Sequence, residues 1–337
     1  MIEIDGGEGE GGGQVLRNAL ALSLVTGEPF RIFNIRAKRQ RPGLMRQHLT
    51  AVEAACQIGQ SACEGAAVGS QEITFRPGRI EAGNFHFAIG TAGSTGLILQ
   101  TILMPLLFAD GPSHVVLEGG THNPASPPFE FLARSFLPLV CRMGPKIEIR
   151  LIRHGFYPVG GGRIEVDIEP APLMSLELVE RGALRKVSAT AFVAALPYDI
   201  GQREIDSARK YLDWPEEAFS VELLQQEIGP GNILLLEAEY EHVTEIVSGF
   251  GKLGTGAESL ARTAANRMVG YMETSAFAGP YLADQLLLPI ALAGRGRFTT
   301  VKPSEHARTA AAVIERFVGR KCRFVQLLAG GHEVIVQ

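Results

Sequence analysis

The chain has 337 residues, enough to bury a substantial core and, on length alone, to form two domains. Hydrophobic residues make up 46% and charged residues 20%, which excludes a disordered or fibrous chain. The formal charge of −4 excludes a globally basic nucleic-acid binder, so any affinity for a polyanion must come from a local patch. Four cysteines (Cys56, Cys63, Cys141, Cys322) show neither a C-x-x-C pair nor metal spacing, so reduced thiols packed as small groups are expected. There is no signal pattern and no apolar run of the ~18 residues a membrane span needs, so a soluble cytoplasmic protein with no membrane partner is expected.

One order of elements, strand, helix, strand, helix and then two strands, recurs along the chain. Ile2–Asp5 reads as a strand and Gly13–Val25 as a helix, with Leu16, Leu20, Leu24 and Val15, Ala19, Leu22 at helical period. A strand at Phe30–Ile35, a helix at Leu44–Ile58 and strands at Ala62–Ala67 and Glu72–Phe75 complete the first copy. The second has strands at Phe85–Ile89 and His114–Glu118, helices at Ser94–Phe108 and Pro128–Met143, and closing strands at Lys146–Arg153 and Arg163–Glu169. The third has a helix at Pro280–Ala293, a strand at Phe298–Val301, a helix at Glu305–Phe317 and a terminal hairpin. Turns rich in Gly or Pro fall at the same place in each copy (Thr26–Pro29, Ala109–Pro112, Ala293–Gly296), which argues for duplication.

The stretch from about Leu178 to Ala276 differs in character and holds the only tryptophan, Trp214. It reads as strands at Ser188–Ala195, Ile233–Tyr240 and Val243–Phe250 with helices at Gln202–Tyr211 and Glu258–Glu273. The expectation is therefore an α/β protein: a large domain of three βαβαββ-type repeats over residues 1–177 and 277–337, with a smaller α/β domain inserted at 178–276. Charged residues on both long helices of the insert predict solvated faces, with the chemistry elsewhere.

Four constellations carry chemistry. Gly6-Gly7-Glu8-Gly9-Glu10-Gly11-Gly12-Gly13-Gln14 lies between a strand and a helix, where bare backbone N–H groups can approach an anion. It lacks the Lys-Ser/Thr pair of a P-loop and the spacing of a Rossmann fingerprint. Two carboxylates in an anion-friendly loop make sense if a hard divalent metal joins them to a phosphate, whereas a flexible turn with solvated glutamates is the plainer alternative. Next, Arg31, Arg36, Lys38, Arg39, Arg41 and Arg46 form a run of one sign, with no Asp or Glu from Pro29 to Val52 and with Arg17 on the preceding helix. Solvated faces usually alternate in sign; a cluster of guanidinium forks suits phosphate, and Gln47 and His48 add neutral hydrogen-bonding groups. Pro280–Gln285 opens an apolar helix, where Asp284 also fits simple helix-dipole complementation and Tyr281 can pack or stack on a base. In Pro303-Ser304-Glu305-His306, Ser304 is a helix cap and His306 falls in the first turn, where the dipole favours the neutral, nucleophilic imidazole. A lone histidine at a helix start is more often structural, so this feature alone does not decide.

Taken together, the stretches DGGEGEGGGQVLR (Asp5–Arg17), RPGLMRQHLTA (Arg41–Ala51), FAIGTAGSTGLILQT (Phe87–Thr101), RHGFYPVGGG (Arg153–Gly162), YLADQL (Tyr281–Leu286) and the PSEH segment ending at His306 resemble the RNA 3′-terminal phosphate cyclase family. They keep the family's order and span nearly the whole chain except the insert. The resemblance implies an ATP-dependent enzyme with a divalent metal (Mg²⁺ or Mn²⁺) that acts on RNA ending in a 3′-phosphate. It implies that His306 takes AMP from ATP and releases pyrophosphate, that AMP passes to the RNA phosphate, and that the neighbouring 2′-hydroxyl closes a 2′,3′-cyclic phosphate. Glu10 and Asp284 resemble the metal-site carboxylates. Gln100, Pro127, Tyr281, Leu282, Ala283, Asp284 and Gln285 resemble the nucleotide-binding set, with Tyr281 and Pro127 flanking the adenine. Arg17, Arg36, Arg39, Arg46, Gln47 and His48 resemble the phosphate and RNA-end set. One departure is visible: Thr309 is followed by Ala310, where the family often has Thr-Asn. The same fold occurs in a non-catalytic ribosome-assembly relative, which lacks the histidine, and its repeat unit in enolpyruvyl transferases, which carry about twice as many copies.

Overall fold

The computed structural model of the protein describes residues 1–224, 229–328 and 330–337. The architecture is mixed α/β, and among the described residues no helix is long and apolar enough to cross a membrane.

The first unit contains β1 (Ile2–Asp5), α1 (Gly13–Thr26), β2 (Phe30–Phe33), α2 (Arg46–Ile58), β3 (Ala62–Glu64) and β4 (Ile73–Arg76). Its sheet runs β1-β2-β4-β3, with β1 parallel to β2 and the other pairs antiparallel. The second unit contains β5 (Asn84–Ala88), α3 (Thr95–Leu106), β6 (Ser113–Gly119), α4 (Leu137–Cys141), β7 (Lys146–Arg153) and β8 (Gly162–Glu169), in the matching order β5-β6-β8-β7. Residues 131–136 wind as a π-helix into α4, so the continuous helix expected at Pro128–Met143 is interrupted. Two expected strands also end early. The chain after Phe33 turns through Asn34 and Arg36 at positive φ, and Gly65 at φ 79° ends β3.

The third sheet repeats the order again, from a strand that the sequence reading lacked. β9 (Leu176–Leu178) lies parallel to β14 (Gly296–Thr300), which pairs with β16 (His332–Val336) and through it with β15 (Cys322–Gln326). Between β9 and β14 in this unit comes α7 (Pro280–Leu292), and α8 (Glu305–Val318) follows β14. The first strand of the third unit thus precedes the stretch read as an insert.

That stretch builds a fourth sheet of different order: β10 (Leu184–Ala194), β11 (Phe219–Leu224), β12 (Gly231–Tyr240) and β13 (Thr244–Phe250), arranged β11-β10-β12-β13. Helices α5 (Tyr198–Ala208) and α6 (Ala257–Met272) pack on it. Residues Gln225–Ile228 and Ala329 lie outside the described residues.

Helices of different units face one another: α1 packs on α8 and α3, and α2 on α3. This explains why α1 and α3 are apolar nearly all round. On α3 every residue is buried except Gln100, which is only half-buried. A polar side chain at the one open position of such a helix is a functional signal.

The two passages between the third and fourth sheets are clamped together. The Arg181 guanidinium sits over the rings of Tyr240 and Tyr271 at 4.3 and 4.9 Å and donates to the Tyr271 and Met272 carbonyls. The Tyr271 hydroxyl donates to the Phe277 carbonyl at 2.8 Å, and Gly279 N–H, at the start of α7, donates to Glu245 Oε2 of β13 at 2.9 Å. A Cβ on Gly279 would collide with that carboxylate. Burial pushes the Glu245 carboxyl up to about 7, against the pull of Gly279 N–H and Arg181. Glu245→Ala is therefore expected to lose roughly 1–3 kcal/mol in urea unfolding by orphaning Gly279 N–H. Glu245→Gln, which keeps an acceptor, should stay close to the parent. Equal losses in both variants would show that charge, not the acceptor, matters.

Candidate active site

The glycine-rich loop joins β1 to α1 and closes against α8 of the third unit. Asp5 Oδ1 accepts Gly7 N–H at 2.8 Å and the Asn34 amide at 3.1 Å, which fixes the start of the loop. Glu10 N–H donates to Thr309 Oγ1 at 3.1 Å, and the Thr309 hydroxyl donates to the Glu305 carbonyl at 2.7 Å. The Glu10 side chain is 11% exposed and pairs through Oε1 with Arg39. Its Oε2 is buried with no hydrogen-bond partner among the described residues. A Cβ at Gly12 would run into both the Glu10 carboxylate and Arg39, and one at Gly13 into His48. Glycine is required here because side chains from three segments already fill the space.

His306 stands in the first turn of α8, capped by Ser304, whose Oγ accepts Ala307 N–H at 2.9 Å. Its Nδ1 lies 2.9 Å from Gln14 Oε1 and 3.8 Å from Glu10 Oε2. With two oxygen acceptors on that side, Nδ1 carries the hydrogen and Nε2 keeps its lone pair. Burial holds the imidazole below its ordinary pKa, and the charges of Arg17 and Arg39 add to the effect. The sequence reading anticipated a neutral ring from the helix dipole; burial and two arginines act in the same direction.

Asp284 is buried on α7 and accepts the Ser304 hydroxyl at 2.5 Å, which ties it to the cap of the helix bearing His306. Burial pushes its carboxyl up to about 7. Gln100 donates to Gln285, and a pocket is lined by Gln14, Arg17, Gln100, Asp284 and Gln285 together. Pro127 presents its carbonyl to Gly96, one turn before Gln100 on α3. Tyr281 is half exposed, with its hydroxyl 3.5 Å from Arg267 of α6. Leu282 and Ala283 are buried in the core, so their side chains pack. Glu10 and Asp284 belong to no cluster of three protein ligands among the described residues.

The basic residues divide by role. Arg17 is half-buried, its desolvation lowers its pKa to about 10, and it faces Gly13 together with His48. Arg36 donates to the carbonyls of Arg41 and Gly43 and so braces the loop. Gln47 Oε1 accepts Ser94 N–H at the start of α3. His48 Nδ1 accepts Met45 N–H at 3.3 Å, in the position a glutamate takes in a capping box. Burial, with Arg36 and Arg17 nearby, lowers its pKa to about 3. Arg46 is exposed at the first position of α2, where the dipole disfavours a cation and no acidic residue offsets it. A cation held there suits an incoming anion.

The family described as RNA 3′-terminal phosphate cyclase matches residues 8–324. Proteins of that name are similar to this chain at 51% identity in Koribacter versatilis, 50% in Ectopseudomonas mendocina and 47% in Salmonella typhimurium. The matches cover 94% of this chain and 90%, 93% and 94% of those proteins, respectively. The chain belongs to the RNA 3′-terminal phosphate cyclase family.

It is thus an enzyme of the cyclase family, and its motifs meet across the chain. Three partners escaped the sequence reading: Gln14 beside His306, Thr309 under Glu10, and Ser304 bridging to Asp284. Gln14 and Ser304 stood in quoted motifs, but nothing local shows that they meet a residue hundreds of positions away.

Asp284 gives a test independent of turnover. Its pKa in the folded protein is raised from 3.8 to about 7, so its contribution to stability is present below about pH 4 and lost as pH rises towards 7. Above pH 7 the buried charge costs on the order of a few kcal/mol. In EDTA, Asp284→Asn should unfold at a higher temperature than the parent at pH 8, with the gap closing towards pH 5. A gap that does not change with pH would contradict this.

Proposed function

We propose that this chain converts an RNA 3′-terminal phosphate to a 2′,3′-cyclic phosphodiester in the cytoplasm, using ATP. The reaction runs through a covalent His306–AMP and an RNA-adenylate, releasing pyrophosphate and then AMP. We assign it to a catalytic domain of residues 1–177 and 277–337, with 178–276 as an insert. The observation that carries the reading is His306: Nδ1 is held by Gln14 beside Glu10, and Nε2 is left free as a nucleophile.

Nε2 attacks the α-phosphorus of ATP, the bond to pyrophosphate breaks, and a phosphoramidate forms while Gln14 holds the Nδ1 proton. An oxygen of the RNA 3′-phosphate then takes AMP from the histidine. The 2′-hydroxyl attacks the phosphorus of the RNA 3′-phosphate, loses its proton, and expels AMP as the bridging P–O bond breaks. Arg17 and Arg39 offset the charge that builds on the phosphoryl oxygens. Gln100, Gln285, Pro127 and Tyr281 hold the nucleotide, and Arg36, Arg46, Gln47 and His48 hold the RNA end. A divalent metal fits here because Glu10 Oε2 is a buried oxygen without a partner; Glu10 and Asp284 would hold Mg²⁺ or Mn²⁺ together with the phosphates. The ion would supply Lewis-acid polarisation of the phosphoryl oxygens.

His306→Ala should abolish labelling of the protein by α-labelled ATP and cyclisation of RNA 3′-phosphate, yet still cyclise pre-adenylylated RNA. Persistence of an acid-labile protein–AMP adduct in this variant would assign the nucleophile elsewhere. Arg46→Lys should leave labelling intact but weaken competition by RNA ending in 3′-phosphate at least several-fold, because one ammonium cannot replace the fork. Equal competition by 3′-phosphate and 3′-hydroxyl RNA in the parent would remove the RNA-end assignment.

A further inference from the structure

The segment after β6 and the loop after β7 bring His122, Glu130 and His154 together, with one ligating atom of each within 4.8 Å of the others. Among the described residues no other group of His, Cys, Asp or Glu side chains gathers in this way. The reaction proposed above uses none of the three, although His154 lies in the RHGFYPVGGG stretch.

His122 is oriented from behind. Gly155 N–H donates to Thr121 Oγ1 at 2.9 Å, and Thr121 Oγ1 lies 2.7 Å from His122 Nδ1, which turns His122 Nε2 towards Glu130 Oε2 at 2.9 Å. A ligating imidazole is commonly held through its second nitrogen in this way. His122 and Glu130 are 1% and 4% exposed, so the carboxylate needs a cation close by. No Lys or Arg acts on it; the bases beside it are the two histidines, and burial holds His154 down to about 4. The rings of His122 and His154 stack at 5.1 Å, so two imidazolium charges would repel. His154 makes no hydrogen bond among the described residues and is half-buried, which leaves its ring nitrogens available from the solvent side.

We propose that His122, Glu130 and His154 form a site for a borderline divalent ion of the Zn²⁺ type, distinct from the metal position at Glu10. Two imidazole nitrogens and one carboxylate oxygen suit Zn²⁺ or Co²⁺, whereas Mg²⁺ takes oxygen ligands. The ion ties the 121–130 segment, which carries Pro127, to the loop after β7. Phe156 stacks on His122 at 5.2 Å and Phe192 of the fourth sheet lies 6.2 Å from His154, so the same point touches the insert. The site is a structural fastener beside the nucleotide pocket and stands whether or not the proposed reaction does.

The test titrates metal-stripped full-length protein with Co²⁺, followed by its visible absorption, and then displaces it with Zn²⁺. The parent and Glu10→Ala should both bind one equivalent with a ligand-field band that excess Mg²⁺ does not remove. His154→Ala, which deletes a half-exposed ring without hydrogen bonds, should lose at least the roughly 10- to 100-fold in affinity that even an outer-shell change costs. Absence of the band in the parent, or equal binding by parent and His154→Ala, would overturn the site and leave a proton-sharing His122–Glu130 pair. Loss of the band in Glu10→Ala alone would assign the ion to the catalytic centre and equally overturn it.

Discussion

The starts of four helices meet at one place, and the chemistry depends on that meeting. Gln14 in the first turn of α1 touches His306 in the first turn of α8; Gly13 of α1 lies against His48 of α2; Gln47 of α2 accepts the N–H that begins α3. Each helix start leaves N–H groups without intrahelical partners and carries partial positive charge. Together with Arg17, Arg39 and Arg46 they make a region that disfavours imidazolium and favours anions. Glu10 is the buried counter-charge within it, pinned by Arg39 and by Thr309. Removing Arg39 would leave the buried carboxylate uncompensated, which usually costs more than the pair contributes, whereas removing the Thr309 hydroxyl would orphan the Glu10 N–H.

Threefold repetition is what brings the helix starts together. In each unit the first strand runs parallel to the second, so the intervening helix crosses over and begins at the end where the first strand stops. Packing α1 on α3 and α8 then gathers the strand-to-helix junctions of all three units. The units share geometry and differ in residues: a glycine loop in the first, Ser94 beside Gln47 in the second, Ser304 and His306 in the third. The division of labour uses different turns of the repeat: the glycine loop and Ser94 precede the crossover helices α1 and α3, whereas Ser304 and His306 precede α8, the second helix of its unit.

The helical period, the turn residues and the order of elements made most of the repeat legible in the sequence, because long amphipathic or apolar helices leave a strong local signal. β9 was not legible: a strand of three residues has too little alternation to register, and its partner is more than a hundred positions away. β11 escaped for a related reason, being an edge strand with half-exposed residues on both faces. At the site, residue types were legible and pairings were not. His48 shows the limit: its residue type suggested a hydrogen-bonding group for an anion, but nothing local shows that its Nδ1 also accepts the Met45 N–H at the start of α2. Glu245 shows another, since a glutamate in a strand reads as solvated until the N–H of Gly279 is seen to need it.

The fourth sheet is part of the same electrostatic arrangement. Its β13 supplies the carboxylate that accepts the N–H at the start of α7, and α7 in turn holds Asp284 against Ser304 below His306. The fourth sheet is thus joined through α7 to the cap of the helix that bears His306. Asp284, pushed up to about 7, and the unpartnered Glu10 Oε2 are both costly in the unliganded fold. Such cost persists in a folded protein when the surrounding structure over-determines the geometry, here through Ser304, Thr309, Arg39 and Gly12. In the reaction proposed above, a cation bound with the phosphates would relieve both carboxylates at once.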